Sequence, residues 1–363
     1  MRVLYLINHA GKGGSEKYVR DIADYLRKKG ESVFFAYNES GELSEYMKDK
    51  GVKTLRISMS SPLDIAAAKK LAKFCKDNKI DVIHAQFPRE NYIAVLAKMF
   101  GSKAEVVYTS HINLKNNIFW KVSNIFFTRK NGAIIAVCSS VATLLADNGY
   151  PRNKICVIFN GVEVAEVVKS HEKSEIFTFI TVARLSEEKG LMFLLQSVNE
   201  LKQEIDKPFK MLIVGDGPTK NELENYIEKN ELGDYVELTG YHKNPEQLLQ
   251  SSHVFINSSN SEALSFAILE AMAHSLPVIA TNIGGNPDIV NQKTGCGVLV
   301  EYNDTKAMAK EMKTLMTDHS LYEYFAKNAY LAAKSVFNIE EMASTTYNLY
   351  KEVIEKNDNK RKR

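Results

Sequence analysis

Cysteine is scarce in this 363-residue chain: Cys75, Cys138, Cys156 and Cys296 are scattered, and no two form a Cys-x-x-Cys pair. Neither a disulfide framework nor a zinc site is therefore expected, and a reducing compartment suits the composition. Long apolar runs are missing too, since no stretch approaches the ~18 uninterrupted apolar residues of a spanning helix. Met1–Ile7 enters a strand-like pattern without the marks of a signal peptide, so a cytoplasmic protein is expected. There is no His-Glu-x-x-His, no Gly-x-Ser-x-Gly and no Asp-x-Asp. Without paired aspartates to seat a divalent cation, no metal and no cofactor is expected, and a bound anion would have to meet cationic side chains. Large net charge is absent as well, at +3 overall. That total hides an asymmetry: residues 1–170 hold 26 basic against 16 acidic groups, and residues 171–363 hold 21 against 28. The basic first half favours an anionic surface or a phosphate-bearing partner; no recognition motif points to nucleic acid.

What the chain has is rhythm. Short β-branched runs alternate with longer amphipathic stretches from end to end, the pattern of parallel sheets wound with helices. Strands are expected near Val3–Asn8, Ser32–Tyr37, Thr54–Ile57, Val82–Ala85, Val106–Ser110, Gly132–Cys138 and Ile155–Asn160. The rhythm restarts at Phe177–Val182 and continues through Phe209–Val214, Val236–Thr239, Val254–Ser258, Val278–Thr281 and Val298–Leu299. The fold class is α/β, as two Rossmann-like doubly wound domains facing across a cleft. Residues 1–165 form the first and 166–338 the second, with the weak join at Val162–Glu175. A helix over 339–356 crosses back to the first domain, and 357–363 is a basic, unstructured tail.

Five loops at expected strand ends hold candidate chemistry. Gly11-Lys12-Gly13-Gly14-Ser15-Glu16 would let backbone amides at a helix start approach a phosphate or a sugar hydroxyl; a plain turn with Ser15 as helix N-cap explains it equally well. Arg184 and Lys189, within Val182–Gly190, would clamp a diphosphate with a planar guanidinium and a point charge, or else belong to a solvated loop. Gly215-Asp216-Gly217-Pro218 is either a tight turn or a place where a nucleoside lies on the backbone. Glu262 and Glu270, eight residues apart, would project from one side of a helix at ~12 Å along its axis, too far to share a proton and suited to gripping a ligand twice. Ile283–Val290 reads as turn chemistry. His111, directly after Val106–Ser110, would hydrogen-bond a reacting sugar or stabilise developing charge; His9 and His84 are weaker versions of it.

In order, Val182–Gly190, Gly215–Pro218, Glu262-x7-Glu270 with its Glu-Ala-Met-Ala ending, Leu276–Ala280 and Gly284–Val290 resemble glycosyltransferase family 4, the retaining enzymes of GT-B fold. The first half matches more loosely, through Gly13-Gly14, the strand ending at His111, Val137–Ser140 and Asn160-Gly161-Val162. The resemblance implies a sugar nucleotide on the second domain and an acceptor on the first. It implies that Arg184 and Lys189 hold the diphosphate, that Glu270 takes the ribose hydroxyls, and that Tyr241 lies near the base. Glu262, His111 and the amides of Leu264, Ser265 and Phe266 would surround the donor sugar, with Gly14 facing the phosphate. The chain departs from the family at Ala183 and at Ala263-Leu264-Ser265, where glycines are common, which leaves the sugar open; UDP-sugars are the commoner donors, ahead of GDP-mannose.

Asn113–Lys130 mixes the only tryptophan, Trp120, with Phe119, Phe126, Phe127, Lys115, Lys121, Arg129 and Lys130. It suits either an interfacial helix meeting anionic lipid at the inner face of the cell membrane or a buried helix with a solvated basic side. On the first reading the acceptor is a lipid-linked glycan or glycolipid of cell-envelope polysaccharide synthesis. A nucleotide-sugar 2-epimerase, or a non-catalytic sugar-nucleotide-binding subunit, are the competing readings.

Overall fold

The structure, a computed structural model, describes residues 1–111, 117–165 and 173–362. Lys115 and much of the expected join therefore lie outside the described residues. The chain forms two compact units: Met1–Gly161 with Ile339–Arg363, and Val162–Asn338.

The first unit is a seven-stranded sheet. Its strands are β1 (Arg2–His9), β2 (Ser32–Glu39), β3 (Lys53–Arg56), β4 (Val82–Ala85), β5 (Glu105–Ser110), β6 (Ala133–Ala136) and β7 (Ile155–Val157). The order is β3-β2-β1-β4-β5-β6-β7 and every pairing is parallel. Each residue of β4, β5 and β6 is buried, because helices cover both faces of a parallel sheet. The chain winds outward from β1 to β3, then restarts at β4 on the other side of β1. The crevice between β1 and β4, at their carboxyl ends, is the switch point where open sheets of this type bind ligands.

The second unit repeats the plan with six strands: β8 (Phe177–Val182), β9 (Phe209–Val214), β10 (Val236–Gly240), β11 (Val254–Asn257), β12 (Val278–Thr281) and β13 (Gly297–Val300). Their order, β10-β9-β8-β11-β12-β13, puts its switch point between β8 and β11. The expected pair of doubly wound parallel sheets is what the chain forms.

The helix Ile339–Lys362 returns to the first unit and runs on through the tail expected to be unstructured. Met342, Ala343, Thr346, Tyr350 and Val353 recur at helical spacing and are all buried. A large apolar side chain so buried contributes roughly 1.5–3 kcal/mol. At the centre of this contact sits His84, fully buried in β4. Its Nδ1 lies 2.5 Å from the Tyr350 hydroxyl and its Nε2 lies 2.6 Å from Thr109 Oγ1. Thr109 Oγ1 in turn lies 3.2 Å from the Tyr18 hydroxyl. His84 is thus a structural hub rather than a cleft residue. Burial, helped by the neighbouring His111, pushes its pKa down to about 3.

Unfolded, the same imidazole titrates near 6.5. Between those values the unfolded chain binds the extra proton, so stability is full above pH 6.5 and is lost as pH falls toward 3. At pH 5 this one group accounts for on the order of 2 kcal/mol. Thermal unfolding followed between pH 7.5 and 5 should show a falling Tm, with a shallower fall in His84→Gln. An equal slope in the two proteins would contradict the assignment.

Candidate active site

At the carboxyl edge of the second sheet, two glycines let neighbouring loops touch. Beyond β8 the chain continues beside the turn after β9: Ala183 N–H donates to Val214 O at 3.0 Å and Leu185 N–H to Asp216 O at 2.9 Å. Gly215 has φ +149, and a Cβ there would stand 1.8 Å from Ala183 O; one on Gly217 would stand 2.3 Å from Leu185 O. The chain's own backbone therefore demands both glycines, as the tight-turn reading expects. Arg184 projects from this ledge, exposed, and among the described residues its guanidinium has no hydrogen-bond partner. The Ser186 hydroxyl at 2.6 Å, with smaller contributions from the charges of Lys189 and Arg184, holds the Glu188 carboxyl below the usual range.

The switch point itself is built by stitching the loop after β8 to the loop after β11. A short turn, Glu187–Lys189, ends at Gly190 in the left-handed region with φ +60. A Cβ at Gly190 would lie 2.1 Å from Ser258 O. Ser258 Oγ donates to Lys189 O at 2.9 Å, and Asn260 N–H donates to Glu188 O at 2.9 Å. This close apposition brings Lys189 Nζ to 2.7 Å from Glu262 Oε2, which also accepts from Ser259 Oγ at 3.3 Å. Both side chains are mostly shielded, at 24% and 12% exposure, so removing either partner strands a charge that water reaches poorly.

Glu262 does not sit on a helix. The helix here is Phe266–Ala273, and Ser265 is its N-cap, accepting from Ile268 N–H. The two-turn geometry expected for Glu262 and Glu270 therefore fails: Glu270 is helical and half-buried, whereas Glu262 lies in the loop before the cap. Ser265 spends its hydroxyl on capping and Leu264 is buried, so with Phe266 they can offer a ligand backbone N–H groups at a helix start. The Gly284 turn after β12 backs this loop. Gly284 has φ +58, and a Cβ there would stand 1.7 Å from Glu262 O. Thr281 Oγ1 donates to Ser259 O at 2.6 Å, and buried Asn286 donates through Nδ2 to Asn257 Oδ1 at 3.1 Å. The motif read as turn chemistry is the support of Glu262. Tyr241, exposed, follows β10, whose last residue Gly240 accepts from Gly215 N–H at 2.9 Å.

In the first unit, Gly14 opens the helix Gly14–Lys28 with Gly13 at its cap; Ser15 is not the cap and instead donates to Glu16 Oε2 at 2.7 Å. Tyr18 of that helix packs edge-on against His111, with ring centroids 4.9 Å apart. His111 Nε2 lies 3.0 Å from Gln86 Oε1 at the end of β4. Gln86 Nε2 donates to His84 O at 3.2 Å, which leaves Oε1 to accept from His111 Nε2–H. Burial pushes the His111 pKa down to about 3. The ring is thus neutral at physiological pH and presents Nδ1 as an acceptor: it can bind a hydroxyl, but it brings no positive charge. His9 is exposed and pairs with Glu39 at 3.1 Å.

Lys189 and Glu262 meet, the Arg184 ledge and the Gly215 turn share a backbone contact, and Gly14 and His111 belong to the other unit. The sequence alone does not single out Gln86 or Glu90, and it shows Asn286 only as part of the Ile283–Val290 turn. Glu90 is buried with Oε1 accepting from Asn8 N–H at 2.6 Å, so it anchors the end of β1 beneath the glycine loop. Burial holds its carboxyl above the usual range despite that bond. Nothing in the local sequence marks Gln86 or Glu90, whereas Ser258-Ser259-Asn260-Ser261 is a visible polar run at a strand end.

Known proteins place this geometry. The family described as Glycosyltransferase Family 4 matches residues 12–166, and Glycosyl transferases group 1 matches residues 164–332. The chain is 24% identical to N-acetyl-alpha-D-glucosaminyl L-malate synthase of Bacillus anthracis, over 96% of each chain. It is 26% identical to UDP-Gal:alpha-D-GlcNAc-diphosphoundecaprenol alpha-1,3-galactosyltransferase of Escherichia coli, over 87% of this chain and 88% of the relative. Among solved structures, Anabaena Alr3699/HepE in complex with UDP superposes with a TM-score of 0.81 at 20% identity, covering 96% of this chain and 99% of that one.

The support of Glu262 is directly testable. Gly284→Ala combines a left-handed backbone with a clash against Glu262 O, whereas Gly30→Ala meets the backbone cost alone, at φ +81 in open space. The first should cost about 1–3 kcal/mol more in stability than the second and should impair activity. Equal Tm losses in the two variants would contradict the contact.

Proposed function

This chain belongs to the group 1 glycosyltransferases of GT-B fold and is a transferase, and we propose that it moves a sugar, with retention, from a nucleotide donor to a hydroxyl of a lipid-linked glycan or glycolipid. A UDP-sugar is favoured over GDP-mannose as donor. The observation that carries this reading is the cationic ledge at the second switch point, Arg184 exposed and Lys189 close by on the same loop, beside a carboxylate and a helix start. The Escherichia coli relative acts, by its name, with UDP-Gal on a diphosphoundecaprenol-linked sugar, which supports both the donor and the acceptor class.

On this proposal the mechanism follows from where charge develops. As the donor's glycosidic bond breaks, negative charge gathers on the leaving diphosphate, and Arg184 with Lys189 stabilises it more in the transition state than in the ground state. These cations do so without a metal ion. Glu270 takes the ribose hydroxyls, Tyr241 lies along the base, and the Gly215 turn forms the floor. Backbone N–H groups of Leu264, Ser265 and Phe266 complete this unit's contacts to phosphate and sugar. His111, neutral, accepts a sugar hydroxyl through Nδ1. Glu262 already binds Lys189 and Ser259, so its lone pairs are poorly placed for a covalent sugar intermediate. That supports attack on the face the diphosphate leaves, with the departing phosphate taking the acceptor's proton.

A thermal-shift panel of UDP-sugars and GDP-mannose identifies the donor, and NMR of the product gives the anomer. An α-linked donor should give an α-linked product. Arg184→Ala should lower kcat/KM roughly hundred- to thousandfold while leaving the apo Tm almost unchanged, because the side chain is exposed. No shift with any nucleotide, or an inverted product, would overturn the reading.

A further inference from the structure

The helix Ile118–Phe127 is built inside out. Its outward stripe is Ile118, Phe119, Val122, Ile125 and Phe126, exposed by 82, 60, 49, 38 and 65%. Its inward side is anchored by a polar residue: Asn124, 1% exposed, accepts from the Tyr92 hydroxyl at 2.8 Å and donates to Asn148 O at 2.7 Å. An ordinary surface helix of a globular protein has the opposite polarity. Nor can this helix roll over to hide the stripe. Asn117 caps it at Trp120 N–H, Trp120 and Phe127 pack on Tyr92, and a Cβ on Gly149 would stand 2.4 Å from Lys121 O, so the backbones are in close contact.

Charge selects the occupant. No Asp or Glu occurs between Glu105 and Asp147, a span that carries Lys115, Lys121, Arg129 and Lys130. Arg129 and Lys130 are exposed just past the helix end, and Lys154 Nζ holds the backbone there at Arg129 O and Asn131 O, 2.6 Å each. An apolar stripe flanked along the sequence only by cations suits an anionic lipid surface, where the helix lies in the interface plane. A second copy would press two basic faces together, and so short a stripe falls well below the roughly 20–30 residues a side of a stable protein interface. Among the described residues no helix is long and apolar enough to cross a membrane, which fits lying on the surface.

We propose that this helix docks the protein on an anionic lipid bilayer, its apolar stripe in the acyl boundary and Lys121, Arg129 and Lys130 at the head groups. The helix follows β5, the strand that ends at His111, so docking brings the His111 edge of the first sheet to the membrane. The proposal deepens the lipid-linked-acceptor reading, and its test requires neither donor nor acceptor.

Flotation of the full chain compares vesicles of equal phosphatidylglycerol and phosphatidylcholine with vesicles of phosphatidylcholine alone. The wild type should float with the first and not the second. Combining Phe119→Ser with Phe126→Ser should reduce partitioning at least tenfold with an unchanged Tm, since both rings are exposed. Combining Lys121→Gln, Arg129→Gln and Lys130→Gln should abolish the preference for the anionic vesicles. Undiminished flotation of the serine variant, or none by the wild type, overturns the proposal. A concentration-dependent dimer in sedimentation that the serine variant abolishes assigns the face to a second copy and overturns it equally. A chain that floats yet glycosylates no lipid-linked acceptor upholds the docking and defeats only the acceptor reading.

Discussion

The contact between Lys189 and Glu262 is the point on which the second unit's chemistry turns. It exists because two loops at the switch point lie closer than side chains normally allow. Gly190 admits the Ser258 carbonyl, Gly284 admits the Glu262 carbonyl, and Gly215 admits the Ala183 carbonyl one strand over. Each of these three glycines has positive φ and a neighbour inside the volume a Cβ would fill. The site thus holds its lysine at a carboxylate 2.7 Å away. On the proposed function, a diphosphate that engages Lys189 would compete with Glu262, and the carboxylate would then turn to a sugar hydroxyl. Donor binding and sugar recognition would in this way be coupled through a single ion pair.

Much of the fold was legible in the sequence, for a physical reason. A strand such as β6 is buried on both faces and is apolar in an unbroken run, and such runs stand out. The site was legible as motifs but not as geometry. Glycine spacing at Gly215 and Gly284 marked the right turns, while the demand for glycine came from loops distant in sequence. Glu262 was read as helical because apolar residues continue through Ala263 and Leu264 toward the true helix; only Ser265, the N-cap, reveals where it starts. The tail 357–363 reads as unstructured because it lacks apolar residues, yet the helix continues to Lys362 from an anchor at Tyr350 and Val353. Gln86 and Glu90 left no local trace, since burial alone gives a polar residue its importance.

The two units divide the physical work. In the first, burial keeps His84 and His111 neutral and holds the Glu90 carboxyl above its usual range. In the second, the charged groups Arg184, Lys189 and Glu262 gather at the strand ends. Hydroxyls are recognised well by neutral acceptors, and leaving phosphates by cations. The excess of basic residues over 1–170 lies in part around the inside-out helix, at Lys121, Arg129 and Lys130.

The coupling through Lys189 is best tested by calorimetric titration of UDP, without a sugar, into Lys189→Ala and Glu262→Gln. Loss of the lysine should weaken UDP at least tenfold. Loss of the Glu262 charge should leave UDP binding as tight as in the wild type, or tighter, while sugar transfer falls. UDP binding unchanged in Lys189→Ala, or weakened as much in Glu262→Gln, would contradict the account.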